Sequence, residues 1–308
     1  MDMKNMSFAT RAIKAGEGPD PTTGALNTPI YETSTFAYHS TKEFEQGIDD
    51  AMSWVPGACL YSRTTNPTTQ ALERKVAALE GAEDAYIASC GMAAVNLALL
   101  SNLNAGDHVI ASNDIFCCTR SSLEDILPSK GIEVDIVDVT DIKNIQEKLK
   151  DNTKVIYLEV LSNPRLELAD LAGIAELAHS RGIFFIVDNT FLSPYLLRPL
   201  EFGADMVVHS GTKYLVGHGD ALCGLISGTK EKVDRVRYYS DNLGTHISPF
   251  DAWLALRGAR TMPLRVAKQC ENALAIAKYL EAKPEVGYVY YPGLESHRQH
   301  DVAVKMLK

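Results

Sequence analysis

The chain has 308 residues, enough for a large core and, by length, for about two domains. Hydrophobic residues at 46% and charged residues at 22% are the balance of an ordinary globular protein and indicate neither a disordered nor a membrane class. A net charge of -9 with no Lys/Arg-rich run excludes a general nucleic-acid surface, so no nucleic acid is expected as a partner.

The opening Met1-Asp2-Met3-Lys4-Asn5-Met6 carries charges and leads into no apolar signal core. No stretch reaches the roughly 18 apolar residues of a membrane helix, since Ala93 to Leu100 is interrupted by Asn96. The protein is therefore expected in the cytoplasm, with no membrane partner. Cysteines at 59, 90, 117, 118, 223 and 270 form no CxxC pair, so neither a metal site nor a disulfide framework is expected. The adjacent Cys117-Cys118 reads as packing rather than redox chemistry. No internal repeat is visible.

Residues 1 to 60 lack sustained periodicity and are rich in Thr, Pro and Gly, as in Pro19-Asp20-Pro21-Thr22-Thr23-Gly24. So long an irregular arm is uncommon inside a compact domain. Its aromatics, Tyr31, Phe36, Tyr38 and Phe44, favour wrapping over a neighbour, and a partner subunit is the natural candidate.

Regular patterning begins at residue 67. Pro67 to Leu79 predicts a helix with Leu72, Val76 and Leu79 on one face, and Asp84 to Ser89 a short strand. Gly91 to Leu100 predicts a helix, Asp107 to Ser112 a strand, Arg120 to Leu127 a helix ended by Pro128, and Ile132 to Val139 a strand. Next come a helix over Ile142 to Leu149, a strand over Lys154 to Leu161, a helix over Leu171 to Arg181, and a strand over Ile183 to Val187. Met206 to Val208 and Leu222 to Ser227 are further strands; from Leu264 one long amphipathic helix precedes a strand over Gly287 to Tyr291. Strands alternating with helices of this length predict an α/β fold, a mainly parallel sheet covered on both faces.

In such a sheet, ligands gather outside the C-terminal ends of the strands. The tips here are Ser89-Cys90-Gly91-Met92, Asn113-Asp114-Ile115-Phe116, Ser162-Asn163-Pro164, Asp188-Asn189-Thr190 and Ser210-Gly211-Thr212-Lys213. Lys213 follows a buried strand and reads as a nucleophile for an aldehyde cofactor, with Ser210 and Thr212 as hydroxyl donors to that cofactor's phosphate. The alternative is a surface lysine in a strand-to-loop turn. Gly91 and Met92 open a helix whose unpaired N–H groups suit a phosphate, although a plain strand-helix turn fits as well. Asp188 ends an apolar strand, where an unpaired carboxylate is costly. Paired with a protonated pyridine nitrogen it would be satisfied and would make the ring an electron sink; alternatively it caps the next turn. Asp188 and Lys213 are 25 positions apart, at two strand tips separated by one short crossover, and so are expected side by side at one sheet edge.

These tips, with Tyr61-Ser62-Arg63-Thr64-Thr65-Asn66-Pro67-Thr68 and Lys213-Tyr214-Leu215-Val216-Gly217-His218-Gly219-Asp220, resemble the cysteine/methionine-metabolism (trans-sulfuration) family of pyridoxal 5'-phosphate (PLP) enzymes. Thr28-Pro29-Ile30-Tyr31, Ser248-Pro249-Phe250-Asp251, Leu256-Arg257-Gly258 and Tyr291-Pro292-Gly293-Leu294 extend the resemblance over essentially the whole chain. It implies a fold-type I, aspartate-aminotransferase-like architecture. The division would be an N-terminal arm (1–60), a PLP-binding large domain (61–263) and the start of a C-terminal small domain (264–308) that appears truncated.

The resemblance also implies roles. Lys213 matches the Schiff-base lysine and proton shuttle, Asp188 the pyridinium partner, and Gly91, Met92, Ser210 and Thr212 the phosphate cup. Tyr61 and Arg63 match the pair lent to a neighbouring subunit's phosphate, which implies a homo-oligomer with shared active sites, a dimer at least and a homotetramer by family habit. Asn163 matches the residue beside the cofactor's phenolic oxygen. Where the family usually carries Tyr-Gly-Gly-Thr this chain has Phe116-Cys117-Cys118-Thr119; Phe116 can stack on the ring but has no proton to give. Cys118 and the Gly217-His218-Gly219-Asp220 loop resemble methionine gamma-lyases, whereas Phe116 is more like the homoserine-ester sulfhydrylases. The arginine that binds the substrate carboxylate in the family falls outside this sequence. The expected activity is elimination at the gamma carbon of a sulfur amino acid, as in methionine or cystathionine gamma-lyases, with Tyr61 as acid for the leaving group. The alternatives are gamma-replacement, as in O-acylhomoserine sulfhydrylases or cystathionine gamma-synthases, and a shortened chain that binds PLP without turnover.

Overall fold

The computed structural model describes residues 5–307. Seven strands form: β1 (Asp84–Ala88), β2 (His108–Ser112), β3 (Glu133–Val137), β4 (Thr153–Glu159), β5 (Phe184–Asp188), β6 (Met206–Ser210) and β7 (Gly224–Gly228). Their order in the sheet is β1-β7-β6-β5-β4-β2-β3. β2 runs parallel to β3 and β4, and β4 to β5, while β1 pairs antiparallel with β7. This is the α/β architecture the alternation predicts, mostly parallel with one antiparallel edge. β4 and β5 read as near-continuous apolar runs because both faces are covered: Val155, Ile156, Tyr157, Leu158, Phe185, Ile186 and Val187 are all buried.

The chain forms two compact units, one of the described residues up to Ser101 with Val208–Thr261, the other of Asn102–Val207 with the described residues from Met262 on. In the first, helix Pro67–Glu80 starts where sequence signals place it. Asn66 caps it by accepting from the Thr68 N–H, Pro67 fills the first turn, and Gly81 ends it in the left-handed region at φ 74°. Its buried face includes Ala71, Leu72, Val76 and Leu79.

The first sixty residues contain more helix than their composition suggests. Phe8–Lys14 and Thr41–Met52 are helices whose N-termini are capped by Ser7 and Ser40. One is only 7 residues long; the other has Phe44, Ile48, Ala51 and Met52 at helical spacing, a short stripe that went unread within an arm rich in Thr, Pro and Gly. Lys75 fixes this arm. Its fully buried ammonium donates to the Ala12 carbonyl at 2.7 Å and pairs with Glu17 at 2.8 Å, and Arg260 binds the same carboxylate. Helices Lys230–Leu243 and Pro249–Ala259 also form where no element was foreseen.

In the second unit, helices Leu171–Ser180 and Met262–Glu281 form as expected. The helix predicted over 120 to 127 is instead a short α turn, Cys117–Ser121, a π turn, Ser122–Ile126, and a last turn, Leu127–Ser129. Pro128 therefore lies inside the final turn rather than beyond it, directly after a π turn. The predicted strand over Gly287 to Tyr291 does not form. Tyr288 and Tyr290 are exposed and their rings meet edge to face at 4.5 Å. An alternating aromatic pattern makes a strand only when a neighbour takes up its backbone groups.

Candidate active site

In the first unit three backbone approaches lock the residues around Lys213. A Cβ on Gly91 would lie 2.7 Å from Ser210 Cβ, one on Gly211 2.4 Å from Cys223 Sγ, and one on Gly224 2.1 Å from the Cys90 carbonyl oxygen. Glycine at all three lets the start of helix Gly91–Leu100, the 210–212 turn and the start of β7 close on one another. Gly91 and Ser210, two predicted phosphate-cup residues, are thereby in direct contact. Cys90 at the N-cap supplies no side-chain hydrogen bond to the helix start, unlike Asn66, Ser7 or Ser40 at other helices.

Lys213 sits in the turn that follows β6 and is exposed. Its carbonyl accepts from Gly217 at 2.9 Å, and Val216 donates to Gly211 at 3.0 Å, so the turn is internally bonded. The Thr212 hydroxyl is engaged with the Cys223 backbone, donating to its carbonyl at 3.3 Å and accepting from its N–H at 3.1 Å. With one hydroxyl hydrogen, Thr212 serves either that carbonyl or a phosphate oxygen at a given moment. Tyr61 is exposed, and the Arg63 guanidinium lies over its ring at 5.4 Å. Arg63 also donates to the Asp241 carbonyl at 2.6 Å, and Trp54 donates to the Asp241 carboxylate at 3.3 Å.

In the second unit Asp188 is the last residue of β5 and buried. One carboxylate oxygen accepts from the Thr190 N–H at 2.9 Å and its hydroxyl at 2.5 Å; the other accepts from the Tyr157 hydroxyl at 3.2 Å. These donors satisfy a carboxylate that burial alone would penalise. Opposite it in register stands Glu159, the last residue of β4. Glu159 accepts the Phe116 N–H at 2.6 Å. Burial, and then the Asp188 charge, push its carboxyl up to about 8, only partly offset by the Phe116 N–H. Burial first and Asp188 second hold the Tyr157 phenol well above its usual range. Phe116 is exposed at the N-cap of helix Cys117–Ser121, where the Cys117 and Cys118 sulfurs lie 4.0 Å apart. Asn163 is exposed and joined to Pro164 by a cis bond.

Tyr157 and Glu159 are the residues around Asp188 that sequence reading missed; the Thr190 contact is the turn cap it offered as the alternative for Asp188. Glu159 carried a usable signal, since it too is an acid at the end of an apolar strand. The places of Tyr157 and Glu159 beside Asp188 depend on strand register, which the sequence does not display.

Taken unit by unit, the groups are those a phosphorylated pyridine aldehyde needs. The first unit has a glycine-tight helix start against a serine hydroxyl, suited to a phosphate, and an accessible lysine on a bonded turn, suited to an aldehyde carbon; the second has a buried strand-end carboxylate, suited to a ring N–H. Comparison with known proteins agrees with this class. A family model described as Cys/Met metabolism PLP-dependent enzyme matches residues 9–308, and the chain belongs to that family. Its cofactor is accordingly pyridoxal 5'-phosphate.

Among its relatives, the L-methionine gamma-lyase of Treponema denticola is 42% identical over 100% of this chain and 76% of its own length. A probable cystathionine gamma-synthase from Herpetosiphon aurantiacus is 41% identical over 98% of this chain and 91% of its own. Among solved structures, metB from Corynebacterium glutamicum superposes with a TM-score of 0.93 at 38% identity, covering 100% of this chain and 77% of that one.

Proposed function

We propose that this chain catalyses elimination at the gamma carbon of a sulfur amino acid, breaking its carbon–sulfur bond, with methionine or cystathionine as the substrate. The observation that carries this reading is the 42% identity over the whole chain to an L-methionine gamma-lyase. When bound, the coenzyme supplies an electron sink for the carbanion at the substrate's α carbon. Lys213 Nζ would hold the coenzyme's aldehyde carbon and, as a free amine, would take the α proton and relay the β proton. The Asp188 carboxylate keeps the proton on the ring nitrogen.

The Gly91 and Met92 N–H groups with the Ser210 and Thr212 hydroxyls bind the phosphate, joined by Tyr61 and Arg63 from a second copy of the chain. Asn163 would hold the coenzyme's phenolic oxygen. Phe116 stacks on the ring and exchanges no proton, which leaves the Tyr61 hydroxyl to protonate the departing thiol. By role the chain then divides into an arm (1–60), a coenzyme-binding region (61–263) and a C-terminal segment (264–308). The assembly is a cytoplasmic homo-oligomer, a homotetramer built from dimers with shared sites; among the described residues no helix is long and apolar enough to cross a membrane.

The test is incubation of PLP-loaded protein with methionine or cystathionine alone. Release of a 2-oxo acid with a thiol in equal amounts is the expected result. A second reading, gamma-replacement, draws on the 41% identical probable cystathionine gamma-synthase and on the missing hydroxyl at Phe116. It predicts turnover only when an activated homoserine ester and a thiol are both supplied.

A further inference from the structure

Glu159 has no part in the roles assigned above, yet it touches two residues that do. It ends β4 directly opposite Asp188 in the parallel register, and its carboxyl accepts the Phe116 N–H at 2.6 Å. It is only 8% exposed. The charged groups acting on it are Asp188 from β5 and Asp114 from the tip after β2, both acids, and among the described residues no cation pairs with it. On its own strand Tyr157 donates to Asp188, not to Glu159.

Two ionised carboxylates side by side in a buried place, with no cation pairing with Glu159 among the described residues, cost more than one acid beside one carboxylate. The hydrogen bonds decide which keeps the charge. Asp188 accepts from two hydroxyls and a backbone amide, whereas among the described residues Glu159 accepts from a backbone amide alone. The proton therefore belongs on Glu159.

We propose that Glu159 is a positioning residue that works as a neutral acid: it leaves Asp188 as the single negative charge for the coenzyme ring nitrogen and anchors the backbone under Phe116. This rests on assigning Asp188 and Phe116 to the coenzyme ring. Neutrality matters because a second charge here would repel Asp188 and loosen the strand tip, while the acceptor oxygen fixes where the Phe116 ring is presented. A carboxamide preserves both properties; a hydrocarbon of similar size preserves neither the acceptor nor the polarity.

The experiment compares wild-type protein, Glu159→Gln and Glu159→Leu, each checked for folding by circular dichroism. PLP affinity is measured by titrating apoprotein, and the infrared C=O stretch of a protonated carboxyl group is recorded for wild type against Glu159→Gln. The expected result is PLP affinity within about threefold of wild type for Glu159→Gln, and a loss of about tenfold for Glu159→Leu, the cost of a stranded buried N–H. The acid band should be present in wild type at pH 6, fade as pH rises through about 8, and be absent in Glu159→Gln. The proposal is overturned if Glu159→Gln loses the coenzyme, since an ionised carboxylate would then be required, or if wild type shows no acid band. It is equally overturned if folded Glu159→Leu binds PLP as wild type does; should that variant not fold, Glu159→Gln and the band decide alone. Were wild type itself to bind no PLP, the coenzyme assignment would fail separately, because the band is measured on apoprotein.

Discussion

At the scale of single residues, chemistry concentrates at strand ends because that is where a side chain can be held by a buried backbone and still reach a ligand. Lys213→Ala should abolish labelling of the chain by PLP with borohydride and lower kcat by about 10²–10⁴-fold, the usual span for removing a proton-transfer group. Mass spectrometry of the reduced protein checks the first and a 2-oxo acid assay the second. Glu159 also makes a stability prediction. Its folded carboxyl stands near 8 against an ordinary 4.5, so between those values the native state binds more protons than the unfolded one. Stability should therefore fall as pH rises from about 4.5 to about 8, by an amount on the order of a few kcal/mol, and level off above. Urea unfolding across that range should show the slope in wild type and a flatter one in Glu159→Gln. The roles proposed for Lys213 and Asp188 were suggested by sequence because one lies in the turn after an apolar strand and the other ends one. The nearness of Tyr157 and Glu159 to Asp188 was not, because it comes from who stands opposite across β4 and β5, whereas the Thr190 contact is the local turn cap that sequence offered for Asp188.

At the scale of elements, two tight joints invite tests. Gly91→Val places a branched side chain where even a Cβ would sit 2.7 Å from Ser210. It should weaken PLP binding by about tenfold or more while circular dichroism stays native, since the strain falls at a helix start rather than in the core. Lys75→Met removes the cation that ties helix Pro67–Glu80 to Ala12 and Glu17. Breaking a buried pair from one side costs about 3 kcal/mol, to be read from urea midpoints at constant slope. Most strands and the helices Pro67–Glu80, Gly91–Leu100 and Leu171–Ser180 were readable within a residue or two, because a buried strand is nearly all apolar and a capped helix announces its ends, whereas Lys230–Leu243 and Pro249–Ala259 were not read. Nor were the arm helices: Thr41–Met52 follows a serine cap and has only the short stripe Phe44, Ile48, Ala51 and Met52 among polar residues, which the irregular composition around it obscured. The stretch after Gly287 failed in the opposite sense, having the pattern of a strand and no partner to pair with.

At the scale of the whole molecule, the proposed sharing of Tyr61 and Arg63 between copies can be tested by mixing. In the described chain Arg63 is held at the Asp241 carbonyl and over the Tyr61 ring, so it is presented rather than free to search. Protein carrying Arg63→Ala and protein carrying Lys213→Ala should each be nearly inactive. If sites are shared, refolding them together regenerates one intact site per mixed dimer, and activity returns to about a quarter of wild type. Activity that stays at the level of the separate variants would mean that each copy serves its own coenzyme.

The sequence by itself determined the fold class, because apolar periodicity records it, and its motifs led by resemblance to the coenzyme and to the roles proposed for Lys213, Asp188 and the phosphate-suited tips. Only the tertiary structure decided what surrounds them. The contact of Gly91 with Ser210, the clamp of Lys75 on the arm, and the Glu159–Asp188 pair arise from residues distant in the chain brought together by packing and register. Periodicity records which side of an element is buried; it carries no record of what the buried side meets.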